Sequence, residues 1–244
     1  MSASLQVDPD DPLLAEVAAR GFVLMRGGEL AARLGEAGGA AALDAFAASW
    51  ERLETDGFMA DGGRYRRRRL ANYTARAGVP GHLRGPHRPH FQAVVHNSLN
   101  GGVERWFAPI EAAVGDGATL HGLLDLGRSV ADRQRPGCDW FVEVHQFRIE
   151  AVAGAPGYPT PEGVHHDGVD HVLIGMIART NLVGGETLIT NNAGGELARF
   201  TLQDRLDTAF IDDARVMHGV TPVQPAEAAA ASCRDVLVVT WKRA

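Results

Sequence analysis

Cysteine is nearly absent. Cys138 and Cys233 stand far apart and neither belongs to a Cys-x-x-Cys pair, so a disulfide framework has no basis and a reducing compartment is expected. The chain also lacks a secretory start: its first eleven residues are acidic, with no basic opening and no apolar run behind it. No stretch approaches the roughly 20 apolar residues of a membrane helix. Positive charge is not in surplus either. With a formal net charge of −6 and a pI near 5.9, the protein has no global field to draw in nucleic acid or anionic lipid. Internal repeats are missing, and low complexity is confined to the alanine-rich run 226–231, which reads as an exposed loop. These absences leave a cytoplasmic protein with a small-molecule partner, no nucleic acid and no membrane, and they carry no signal for an oligomeric state.

What is present is enough apolar material for a full core. At 244 residues and 45% hydrophobic, the chain reads as one domain, 1–244, with a change of character near the middle. Residues 1–135 are helix-rich with early strands. The spacing predicts helices between 12 and 56, interrupted by an extended piece at 22–26 and by the glycine pairs Gly27-Gly28 and Gly38-Gly39, then further helices at 103–113 and 120–133. After Pro136-Gly137 the pattern turns to short β-type runs at 140–152, 168–179, 186–190, 199–202, 208–212 and 235–241, separated by Gly, Asn, Asp and Pro. Such spacing predicts a mostly β sandwich or barrel with helices against its outer face.

Chemistry concentrates in Glu162-Gly-Val-His-His-Asp167 and in Met217-His218-Gly219. On an extended strand, His165 and Asp167 leave the same face, so one imidazole and one carboxylate can grip the same ion, and His218 from a later strand can close the set. Two histidines and a carboxylate on one face of an octahedral ion leave the other face open, the arrangement of non-haem Fe(II) oxygenases. A single histidine in a β-rich chain is an ordinary packing or surface residue; the joint spacing is what argues for a site. His166 must point the other way, Asp170 suits a turn contact and His171 suits packing. The remaining histidines show no comparable spacing.

If the open face holds 2-oxoglutarate, its distal carboxylate needs a cation, since a buried unpaired carboxylate is costly. Arginine donates two parallel hydrogen bonds and keeps its charge. Arg234 is the candidate: it opens a strand sixteen positions beyond His218 (234 − 218 = 16), which predicts consecutive strands joined by the alanine-rich loop. Arg148 and Arg179 are the alternatives.

Several segments together resemble the bacterial Fe(II)/2-oxoglutarate dioxygenases that hydroxylate free L-amino acids, of which the L-isoleucine 4-hydroxylase is a type. They are His145-Gln-Phe-Arg-Ile149, Pro161 to Asp170, Gly184-Gly-Glu-Thr187, Val216 to Pro222 and Arg234 to Thr240, with Arg64 to Arg69 and Asn97 to Phe107 upstream. The likeness runs through most of the chain from about Gly57. It implies a double-stranded β-helix, a jelly-roll, cupin-like core with N-terminal and flanking helices. It also implies Fe(II) on His165, Asp167 and His218, Arg234 as the clamp, 2-oxoglutarate and O2 as cosubstrates, and release of succinate and CO2. Related halogenases keep a small residue where Asp167 stands, so the resemblance implies hydroxylation and not chlorination.

For the substrate, a zwitterionic amino acid needs a cation for its carboxylate and an acceptor for its ammonium. Arg66 and Arg68 share one face of an extended run, although four arginines in a row ordinarily form a solvated face. Gln146 and Arg148 share one face of their strand and are further candidates, as are Tyr65 and Glu143. Other classes stay open at this point: a cupin-like metalloenzyme that does not use 2-oxoglutarate, a metal-free binding protein, or a hydroxylase of a carrier-bound or peptidyl residue.

Overall fold

The computed structural model describes residues 7–95, 97, 99 and 101–244. Residues 1–6 of the acidic opening segment and His96 lie outside that set.

Local chemistry sets the helical N-terminal half. Asp11 caps α1 (Pro12–Arg20) by accepting the Leu13 N–H at 3.0 Å, Pro12 occupies the first turn, and Gly21 ends the helix at φ +81°. Strand β1 (Phe22–Met25) follows where an extended piece was expected. The Gly27-Gly28 pair does not break a helix; it opens α2 (Gly27–Leu34). A Cβ on Gly27 would sit 1.9 Å from the Arg205 carbonyl oxygen, and its N–H donates to Asp207 at 3.0 Å, so glycine is needed for close approach to a distant loop. Helix α3 (Ala40–Ala47) then leads to the edge strand β2 (Glu54–Thr55).

Two expectations fail in this half. The arginine run is not a solvated face: it belongs to a ten-residue strand, β3 (Arg66–Ala75), flanked by β4 (Leu83–Arg84), and both Arg66 and Arg68 are buried. The predicted helix at 103–113 is extended instead. Leu70 and Ile110 hydrogen-bond across a bridge to this segment, Arg105 pairs with His90, and only the four residues of α4 (Ala112–Gly115) are helical. Those backbone groups are satisfied across the isolated bridges to Leu70 and His90 and not along a helix. Helix α5 (Ala118–Gln134) lies where its apolar spacing put it.

The C-terminal half supplies β5 (Trp140–Ala151), β6 (His171–Thr180), β7 (Leu182–Gly184), β8 (Thr187–Asn191), β9 (Glu196–Phe200), β10 (Thr208–Asp212), β11 (Val216–Val220), β12 (Val223–Pro225) and β13 (Ser232–Arg243). The large antiparallel sheet runs β1-β10-β6-β13-β5-β3-β2, with β4 on β3; β11-β8-β9 and the ribbon β12-β7 form the smaller side. Together they make the expected double-stranded β-helix. Residues 226–231 are the exposed loop expected of them. Among the described residues, no helix is long and apolar enough to cross a membrane.

Alternation along the strands divides the interior in two. Trp140, Val142 and Val144 of β5 and Leu237, Val239 and Trp241 of β13 pack under the helices, with Leu123, Leu124 and Val130 of α5. The alternate residues of the same strands look into the space between the sheets, where Ile174, Met176, Ile189 and Val236 form a smaller cluster.

Gly127 lets α5 lie directly on the Trp241 ring, where an added Cβ would come within 2.2 Å of a fully buried carbon. Gly127→Ala gains up to about 1 kcal/mol of helix propensity. Overpacking costs about 1–3 kcal/mol, so the variant is expected to be less stable overall, as denaturant unfolding would register.

Candidate active site

The segment before β6 crosses to the smaller sheet and pairs there with β11 at a single point. His165 and His218 exchange two backbone hydrogen bonds, 2.9 and 3.0 Å long, which places both imidazoles side by side with ring centroids 4.8 Å apart. Asp167 completes the group. Its Oδ1 lies 3.6 Å from His165 Nε2 and its Oδ2 3.6 Å from His218 Nε2, and one ligand atom from each residue lies within 4.8 Å of the others.

That donor set fits a metal ion. Bonds of about 2.1 Å at right angles separate neighbouring donor atoms by about 3 Å, close to the spacing found. His165 Nδ1 lies 3.0 Å from the Gly163 carbonyl, which holds a proton on Nδ1 and leaves Nε2 as the atom turned toward Asp167 and available to a metal once deprotonated. Burial opposes charge on His165, but the hydrogen bond and charge of Asp167, with Glu162 nearby, outweigh it and raise its pKa to about 9. Burial and the His165 charge depress His218 to about 4. Burial alone would raise Asp167; the two imidazoles pull it well below the usual carboxylate range. The site is therefore a buried acid looking for positive charge, which a divalent ion supplies in full.

Two residues that the sequence reading missed hold this group in place. Asp213, in the turn between β10 and β11, accepts the backbone N–H groups of Asp167, Gly168 and Val169 at 3.0, 2.8 and 3.2 Å. Gln92 reaches in from the long connection after β4 and donates to the Asp167 backbone carbonyl at 3.2 Å, with its carboxylate at 3.4 Å. Neither has a local signal, because both act across long sequence separations.

The site opens into a cavity of about 590 Å³ between the sheets, within the range of small-molecule sites. Arg234 lines it, 2% exposed, with Nε and Nη2 buried and unpartnered; burial and the charge of Arg179 lower its pKa to about 10, so it stays charged at neutral pH. The expected consecutive strands are corrected. The short β12 intervenes, and His218 and Arg234 stand on opposite sheets, facing each other across the cavity.

Arg66 and Arg68 also line the cavity. Arg66 pairs with the buried Asp56 at 2.7 Å, while Arg68 is stacked on Phe107 and Phe147 and donates to His145 Nδ1 at 2.7 Å. Gln146 and Arg148 do not line it. They occupy the helix-side face of β5, where Gln146 donates to Ser49 and Arg148 is clamped between Asp235 and Glu51. The cavity face of β5 is the other parity: Glu143, His145, Phe147 and Ile149. Arg179 bonds the Leu182 and Gly184 carbonyls and is not in the lining; Tyr65 donates to Asp61.

His90, Glu143 and His145 form a second cluster at ligand spacing. It suits a metal poorly. The Arg68 donation makes His145 Nδ1 an acceptor and puts its proton on Nε2, His90 Nδ1 is engaged by Glu143 at 2.9 Å, and the guanidiniums of Arg68 and Arg105 repel a cation there.

The family model for 2OG-Fe dioxygenases matches residues 47–240. The chain belongs to that family. Its members use Fe(II), 2-oxoglutarate and O2. Among curated proteins, the 3(1)-hydroxy-L-isoleucine 4-dioxygenase of Pantoea ananatis (strain AJ13355) is 26% identical over 163 residues, covering 65% of this chain and 66% of that relative. Among solved structures, a bsmA homolog from Methylobium petroleophilum PM1 is 34% identical, with a TM-score of 0.86 over 95% of this chain and 92% of that one. IDO from Bacillus thuringiensis shares the fold at a TM-score of 0.81 and 20% identity, over 96% and 98% of the two chains.

Asp213→Ala strands the three N–H donors that organise the Asp167 turn. A loss on the order of 2–4 kcal/mol in unfolding free energy is expected, measured by urea titration against wild type.

Proposed function

We propose that the protein is an Fe(II)/2-oxoglutarate-dependent hydroxylase that inserts oxygen into an unactivated C–H bond of a free L-amino acid in the cytoplasm, with release of succinate and CO2. The observation that carries this reading is the convergence of His165, Asp167 and His218 at one end of a cavity that also contains the unpartnered guanidinium of Arg234. His165, Asp167 and His218 would hold Fe(II), and the bound ion would supply the redox chemistry by which O2 oxidises 2-oxoglutarate to succinate and CO2 and delivers its second oxygen atom to the C–H bond. Arg234 receives the distal carboxylate of 2-oxoglutarate in a charge-assisted pair, which removes the cost of its own buried, unpaired charge. Asp167 fills the third ligand position with an oxygen donor, which supports hydroxylation over halogenation. The name of the Pantoea relative, an isoleucine-derivative dioxygenase, supports an amino acid as the substrate class.

The test incubates the protein with Fe(II), ascorbate, 2-oxoglutarate and each common L-amino acid, with mass detection of one added oxygen and stoichiometric succinate. Coupled succinate without any oxygenated amino acid would remove the free amino acid from this reading. Asp167→Ala is expected to abolish Fe(II) retention and turnover while keeping the wild-type circular dichroism spectrum; normal turnover in that variant would take Asp167 out of the ligand set. Arg234→Ala is expected to weaken 2-oxoglutarate binding by on the order of 2–5 kcal/mol, followed by anaerobic titration of the Fe(II)–2-oxoglutarate absorption band.

A further inference from the structure

Arg234 is not the only unanswered charge in the cavity. Arg105 is 2% exposed, lines the cavity, and has Nε and Nη2 buried without a partner. It forms no ion pair among the described residues, unlike Arg66 and Arg68, which share Asp56. Its strongest charged neighbour is another cation, Arg66, whose own Nη2 is also orphaned. The main chain holds Arg105 there through reciprocal hydrogen bonds with His90, both 2.9 Å, so the side chain cannot easily swing out to water. Arg66, Arg68 and Arg105 at this end share three carboxylates, Asp56, Glu143 and Glu162, but Asp56 is engaged by Arg66 and Glu143 by His90, and no described ion pair joins Arg105 to any of the three. Buried guanidinium N–H groups without an acceptor are costly, and an anion entering the cavity would satisfy them.

An acid with the opposite problem lies within Coulombic range of Arg105. Glu162 lines the same cavity, its Oε2 is buried without a partner, and its Oε1 lies 3.6 Å from His165 Nε2. Once Nε2 serves as a ligand, it has no proton to offer, and Glu162 needs another donor.

We propose that Arg105, with Arg66 beside it, binds the α-carboxylate of the substrate and that Glu162 accepts its α-ammonium, so the cavity selects an unmodified amino-acid zwitterion. This rests on the dioxygenase reading above and assigns the recognition that reading leaves unassigned. Among the described residues, the cavity lining holds two buried cations without an ion pair, Arg234 and Arg105, and the reaction brings two carboxylate-bearing molecules, 2-oxoglutarate and the amino acid. With both charged ends pinned, only the substrate side chain is free to approach the iron face, along a wall that includes Phe147, Ile174 and Val238.

The test uses full-length protein with Fe(II) and 2-oxoglutarate, kept anaerobic. The common L-amino acids are scanned by calorimetry, and the tightest is compared with its carboxamide and its N-acetyl derivative. In wild type, each blocked derivative is expected to bind roughly 30-fold weaker or worse. Arg105→Gln should weaken the amino acid by a similar factor and erase the preference for acid over carboxamide; Glu162→Gln should do the same for free over acetylated amine. Both variants should still show the Fe(II)–2-oxoglutarate band at cosubstrate concentrations within about threefold of wild type, which Arg234→Gln should not. The blocked ligands on wild type test the idea even if a variant fails to fold. Equal binding of acid and carboxamide overturns the carboxylate site, as does an Arg105→Gln protein that binds the amino acid normally. Loss of Fe(II) itself from Glu162→Gln would make Glu162 a metal ligand and overturn the ammonium site. A wild-type band with no amino acid bound defeats zwitterion recognition while the dioxygenase reading stands; absence of the band defeats both.

Discussion

The two hydrogen bonds exchanged by the backbones of His165 and His218 are the join on which the site depends. They fasten an irregular segment to β11, an edge strand of the smaller sheet, and they bring together two side chains 53 residues apart in sequence (218 − 165 = 53). Asp213 sets the remaining turn by gathering the N–H groups of Asp167, Gly168 and Val169. Position here comes from main chain, so the imidazoles and the carboxylate keep their free atoms for a ligand.

Charge governs the rest of the interior. The acids beside the space between the sheets are spent unevenly, Asp56 on Arg66 and Arg68 and Glu143 on His90, while Arg105 and Arg234 keep buried N–H groups without an acceptor. Burying cations without partners reduces stability in the empty protein. A carboxylate brought against those groups would offset that cost. Stacking of Arg68 on Phe107 and Phe147 keeps its planar charge fixed, so the field does not collapse by side-chain rearrangement.

Much of this was legible beforehand, for reasons of period. His165 and Asp167 stand two apart, the strand repeat, and short β runs at even spacing announced the β-sandwich or barrel that the structure realises as a jelly roll. Parity was the weak point. Gln146 and Arg148 share a face with each other but not with the cavity, and moving one residue along β5 reaches His145 and Phe147. The four arginines concealed β3 because charge masked its in-and-out alternation, which only burial exposes. Residues 103–113 carry apolar groups at helical intervals, yet Phe107 and Ile110 turn inward while Val103 and Trp106 stay exposed, because Leu70 and His90 claim the backbone. Asp213, Gln92 and Arg105 could not be found locally: each acquires its meaning from partners far along the chain.

Gln92 and Arg105 sit on one excursion between β4 and α4, closed on itself by the His90–Arg105 bridge and tied to β3 by the Leu70–Pro109 bridge, whereas His165, Asp167 and His218 stand outside it. One excursion therefore touches both ends of the cavity: Gln92 steadies the Asp167 turn while Arg105 adds a buried charge to the wall, so a change in this segment reaches the His–Asp–His cluster as well as the lining.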